Sequence, residues 1–134
     1  MRALVLGLTV VAVLLSGGCN SQVPLDAQPH DQNSGRDLAR TIAKYAHCDD
    51  ASFEDYNITS KDHWEFTCQK SNQMFLIHTD ANPTTKASMI NKLATSKEPH
   101  KSGPFFVVYE FRTEGHVNTL ADLQDFPGDP GPHS

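Results

Sequence analysis

Apolar residues fall into three patterns along the chain, and each predicts a different element. Ala3 to Leu15 is a continuous apolar run behind one basic residue, Arg2, and it ends in Ser16-Gly17-Gly18-Cys19. At Leu38, Ile42, Tyr45 and Ala46 the spacing is helical. It predicts a helix from the capping-box sequence Ser34-Gly35-Arg36-Asp37 to near His47. From His63 to Cys68 the pattern is alternation, with Trp64, Phe66 and Cys68 on one side and His63, Glu65 and Thr67 on the other. That predicts a half-buried strand.

The remaining elements follow in order. Gln69-Lys70-Ser71-Asn72 is a polar turn and Gln73 to Thr79 a second strand, close enough to the first for an antiparallel hairpin. Asn82-Pro83 sets an amide cap before a proline at the first helical position, opening a helix with Ala87, Ile90, Leu93 and Ala94 inward. Phe105 to Arg112 is the most apolar strand and is expected to be central, with Glu110 and Arg112 leaving the core. Thr119-Leu120-Ala121-Asp122 predicts a short capped helix with Leu120 and Leu123 inward. Pro127 to Pro132 cannot continue it. The order helix–hairpin–helix–strand–short helix predicts a small two-layer α+β sandwich, both helices on one face if the crossover is right-handed.

The N-terminal run is too short for a comfortable membrane span and has the build of a secretory signal. Its end, Gly17-Gly18-Cys19, resembles the lipobox of bacterial lipoproteins. In that family the place three residues before the cysteine is usually aliphatic, whereas here it holds Ser16, with Leu15 one step further out. The resemblance implies cleavage before Cys19, acylation of its thiol, and a location on the extracytoplasmic face of the cell membrane. The expected organisation is a signal peptide over 1–18, a flexible spacer over 19–33, a folded domain over 34–126 and a disordered tail over 127–134. The helix ending at Cys48, the Trp64-x-x-x-Cys68 strand and Gly103-Pro104-Phe105-Phe106-Val107-Val108 together are similar to small lipoproteins of high-GC Gram-positive bacteria. That similarity implies no activity.

Charge and cysteine count narrow the picture. A formal net charge of −5 argues against nucleic acid and against lying flat on anionic lipid, so the membrane contact expected is the lipid anchor alone. Of three cysteines, lipidation of Cys19 leaves Cys48 and Cys68 as a pair. A bridge between them would contribute roughly 3 kcal/mol on the chain-entropy account. The alternatives are reduced thiols, disfavoured outside the cytoplasm, and a metal site, for which neither cysteine has a close ligand neighbour.

Catalytic motifs are sparse. The seven histidines show no metal-ligand spacing, and no phosphate loop, dinucleotide fingerprint or nucleophile elbow occurs, so no metal or cofactor is expected. His78 and Asp80 share a strand face and would suit a general base and its orienting carboxylate in a cell-wall-acting hydrolase, or else a satisfied histidine at a strand end. Asp49, Asp50, Glu54 and Asp55 offer oxygens for a calcium ion, without EF-hand spacing, or else form a solvated loop. Arg36, Arg40 and Lys44 read as a solvated basic stripe. Lys97, His100 and Lys101 place a cationic patch in a loop bounded by Pro99 and Pro104, suited to steering an acidic partner. The leading expectation is a non-catalytic binding module for an envelope protein or wall component, acting through the exposed side of the sheet with His63, Glu65 and Thr67 and through the 97–103 loop, with a hydrolase and an ion-binding lipoprotein as alternatives.

Overall fold

Trp64, Phe66 and Cys68 on one strand and Phe75, Ile77 and Thr79 on the next point to the same side of a hairpin, and a helix closes over them. A computed structural model describes residues 22–111 and 115–131 of the chain. The covering helix, α1 (Gln32–Tyr45), contributes Leu38, Ala39, Ile42 and Ala43, with Ala46 just beyond its end. Gly35 permits the close approach, since a Cβ there would lie 2.6 Å from Trp64 Cε3. The Thr79 hydroxyl donates to the Gly35 carbonyl at 3.2 Å. Tyr45, expected inward, sits at the margin of the buried stripe and is 51% exposed.

Among the described residues six strands form one antiparallel sheet: β1 (Phe53–Asn57), β2 (His63–Lys70), β3 (Gln73–Asp80), β4 (His100–Gly103), β5 (Phe106–Glu110) and β6 (Asp129–Pro130). Their order is β1-β2-β3-β5-β4-β6, which makes β3 and β5 the central pair. A second helix, α2 (Pro83–Thr95), connects β3 to β4, and the Asn82 side chain accepts from the Thr84 N–H as an N-cap. The chain is thus an α+β protein, mostly sheet. One disulfide, Cys48–Cys68, ties the segment after α1 to β2 with Cα atoms 6.2 Å apart.

Several elements depart from expectation. The helices do not share a core: the cluster under α1 contains no residue of α2. Leu76, His78 and Val107 face the other way, are buried, and lie on β3 and β5, the strands that α2 contacts. Leu93 is the buried residue of α2, while Ala87 is exposed. Residues 53–57 and 100–103, expected as loops, are β1 and β4. Glu110 does not leave the core but is 2% exposed.

Both termini of the domain are more ordered than expected. The expected spacer is docked over its described part: Val23 and Leu25 pack on the core, and the Val23 N–H donates to Thr41 Oγ1 at 3.2 Å. The capping box lies at Asp31 and Ser34, three residues earlier than predicted. The expected tail supplies β6, paired with β4, where a proline is tolerated because the strand is an edge. Gly131 lies against the His100 ring, which leaves no space for a Cβ, and its N–H donates to the His100 carbonyl at 3.0 Å.

Candidate functional site

The face of the sheet away from α1 carries the polar residues, because alternation sends His63, Glu65 and Thr67 of β2 and His78 and Asp80 of β3 to the same side. His78, 1% exposed, sits between two carboxylates. Its Nε2 lies 3.0 Å from Asp80 Oδ2 and its Nδ1 3.5 Å from Glu65 Oε2. The second distance is that of an ion pair rather than a well-formed hydrogen bond. Burial is the largest single influence on the imidazole and pulls its pKa down, but the two carboxylates together outweigh it and the net direction is up. Glu65 is correspondingly held low by His78, against the opposing effect of burial.

His63 stacks on His78, with ring centroids 5.5 Å apart and planes 21° apart. Ser60 Oγ lies 3.0 Å and Asp62 Oδ1 3.2 Å from its Nδ1. A hydrolytic relay needs the nucleophile on one ring nitrogen and the carboxylate on the other. Here hydroxyl and carboxylate crowd the same nitrogen. Among the described residues no hydroxyl reaches His78, whose partners are the two acids. The expected His78–Asp80 contact forms, buried at 3.0 Å.

Beyond this network the same face turns aromatic. Phe111 meets Tyr56 edge-on at 5.3 Å and Tyr109 at 6.2 Å. Tyr56 is 59% exposed and Met74, at the start of β3, 38%. Burial, reinforced by the charge of Glu65, pushes the Tyr109 hydroxyl up to about 12, so it remains a neutral donor.

The cationic patch is taken apart by the fold. His100 and Lys101 are neighbours on β4 and so point to opposite faces. His100 is buried and its Nδ1 donates to the Glu98 carbonyl at 2.9 Å, while Lys101 Nζ donates to the Phe126 carbonyl at 2.8 Å. Lys97 stays exposed at a left-handed turn, φ 58°. The acids of 49–55 do not converge either. Asp50 begins a 3₁₀ turn, Glu54 and Asp55 point to opposite faces of β1, and Asp55 is taken by Arg36. The basic stripe is not simply solvated, because Arg36 also lies over Phe66 and Arg40 over Phe53. Cys19 lies outside the described residues.

One group of described residues does have metal-ligand spacing: Glu110, His116 and Asp122. Burial raises the Glu110 carboxyl. Burial also acts upward on Asp122 and is the largest influence there, but hydrogen bonds from Thr119, Gln73 and His116 hold it down at about 2. Sequence reasoning passed over this group because His116 is remote from Glu110 in any local motif, and the 3₁₀ turn at Leu120–Leu123 brings Asp122 to both. Comparison with known proteins finds no matching family model, no matching curated protein and no matching solved structure.

Proposed function

We propose that the chain is an exported lipoprotein, anchored in the cell membrane through Cys19, whose domain is a non-catalytic module binding another envelope protein. The observation that carries the binding reading is the uncovered aromatic run Tyr56–Phe111–Tyr109 with Met74, on a sheet face whose other end is closed by buried residues. Tyrosines braced by neighbouring rings present large contact area at small entropic cost, which is why such residues dominate protein interfaces. The Cys48–Cys68 bridge supports an oxidising compartment, and Gly17-Gly18-Cys19 supports the anchor. Among the described residues no helix is long and apolar enough to cross a membrane. This reading keeps the sheet side of the expected surface, shifted to its aromatic end, and drops the 97–103 loop, whose His100 is buried.

The test is photo-crosslinking in cells from a reactive side chain placed at Tyr56. A discrete protein adduct is expected at that position, absent when the reactive group is placed at Lys44 on α1, and weakened by Met74→Asp. Identical adducts from positions 56 and 44, or none from 56, would reject the sheet face as the interface.

A further inference from the structure

Glu110, at the end of β5, is an acid placed where acids rarely sit. It is 2% exposed, and its Oε1 has no hydrogen-bond partner among the described residues. A second unpaired acceptor is buried beside it: Asn118 Oδ1, on a side chain whose Nδ2 donates to the Glu110 carbonyl at 3.1 Å. Leaving a buried polar atom unpaired is costly, and an orphaned carboxylate oxygen in such a place points to a missing positive partner.

The surrounding side chains are arranged as ligands. His116 Nε2 lies 3.1 Å from Asp122 Oδ2 and 3.6 Å from Glu110 Oε2, and one donor atom from each of the three residues falls within 4.8 Å of the others. Tetrahedral bonds of about 2.0–2.1 Å would separate neighbouring donor atoms by about 3.3 Å, and the two shorter distances bracket that value. Gln73 Nε2 donates to both carboxylates, to Glu110 Oε2 at 3.1 Å and Asp122 Oδ1 at 3.0 Å, which fixes their orientation. The Glu110 side chain is sealed, Asp122 is 18% exposed and His116 40%. His116 borders an open cleft shared with Glu98, Pro99 and Asn118, which gives an ion and a water ligand a way in.

We propose that Glu110, His116 and Asp122 form a binding site for a divalent transition-metal ion of zinc type, held by one imidazole nitrogen, two carboxylate oxygens and solvent. One nitrogen with two oxygens suits such an ion better than calcium, which takes six to eight oxygens. On binding, Nε2 uses its lone pair for the metal and the ring proton remains on Nδ1. A protonated His116 simply bridging two acids is the rival explanation of the same distances. The site is separate from the aromatic face and does not depend on its role in binding.

Isothermal titration of the chelator-stripped full-length protein with zinc chloride decides between them. The expected result is one equivalent bound, with affinity reduced at least about tenfold in His116→Ala and in Glu110→Gln, and by roughly 10–100-fold in Gln73→Ala. His116 is exposed, so His116→Ala should keep the native circular dichroism spectrum and the comparison stays interpretable. His63→Ala should bind zinc as the wild type does. Absence of binding to the wild type at millimolar zinc, or undiminished binding to a folded His116→Ala protein, would overturn the assignment.

Discussion

Arg36 on α1 grips Asp55 on β1 through two parallel hydrogen bonds, Nε to Oδ1 at 2.9 Å and Nη2 to Oδ2 at 2.8 Å. The acid's hydrogen bond to Arg36 holds it below the usual carboxylate range, and the same bond raises the guanidinium. β1 is an edge strand with four of its five residues exposed, so beyond its ladder with β2 it depends on side-chain contacts such as this clamp and the stacking of Phe53 on Phe66 at 5.5 Å. The pair is partly exposed and screened, so Arg36→Ala should destabilise the domain by only about 1 kcal/mol, less at high salt. Amide exchange should show the loss concentrated in residues 53–57. Uniform loss across the sheet would mean that the clamp does not act locally.

How much of this was legible depends on where each residue's partner lies. Leu38 and Ile42, or Trp64, Phe66 and Cys68, declare their element through neighbours a few positions away, and so do Asn82 and Pro83. β1 could not be read that way. Glu54, Asp55 and Tyr56 show no apolar alternation, and the segment becomes a strand through β2 and through an arginine 19 residues upstream. β4 is similar, because His100 is buried by β5 and by Gly131, whose missing side chain makes the space. Glu110 looked like an outward residue because Gln73, which receives it, is 37 positions away. The His78–Asp80 contact was visible from strand period alone. What surrounds the two stacked rings depends on Glu65, Ser60 and Asp62 and on the register between β2 and β3.

The disulfide closes a sequence separation of 20 and joins the segment after α1 to β2, next to the edge strand β1. Changing both Cys48 and Cys68 to Ala should lower unfolding free energy by about 3 kcal/mol, chiefly by freeing the unfolded chain. Urea denaturation with and without reductant measures this. If the bridge is structural, the folded fraction of the double variant should give the same Tyr56 crosslink as wild type. A loss under about 1 kcal/mol would show that the core under α1 holds without the bridge.

Stability should fall as the solution becomes alkaline, and His78 is the reason. Its pKa is raised above the ordinary 6.5 in the folded chain, so its contribution is complete below pH 6.5 and is lost as pH rises through the higher folded value. Glu65 acts in the opposite sense: its folded value is below 4.5, so its contribution is present above pH 4.5 and lost as pH falls through that lower value. The groups facing the imidazole are Asp80 on its own strand and Glu65 and His63 on β2, with Tyr109 on β5 neutral throughout this range. These two effects place the optimum between about pH 4.5 and 6.5. His78→Gln should flatten the alkaline limb while leaving the acid limb from other carboxylates. An imidazole resonance for His78 that titrates below 6.5 would contradict this account.

A lipidated Cys19 would hold the domain close to the membrane. Val23 is already fastened to Thr41 on α1, and Leu25 packs on the core, so only residues 20–22, four residue steps in all, separate a lipidated Cys19 from Val23. At about 3.3–3.6 Å per residue the greatest reach of such a tether is about 14 Å, far shorter than a spacer running to residue 33 would allow. The domain should therefore ride against the headgroups, with the surface around Val23 and Thr41 toward the membrane. Cys19→Ala should release the protein from the membrane fraction or arrest its processing, and unchanged partition into detergent would reject lipidation. The short tether is tested separately by a spin label at Gln28 in vesicles carrying the lipidated protein. Label contact with a headgroup-depth relaxant is expected there and not at Ser71, in the β2–β3 turn. Inserting a ten-residue Gly-Ser segment after Asn20 should abolish that contact while leaving the protein membrane-bound. Equal exposure of both labels in the unextended protein would mean that the first anchored residue lies further along the chain than Val23.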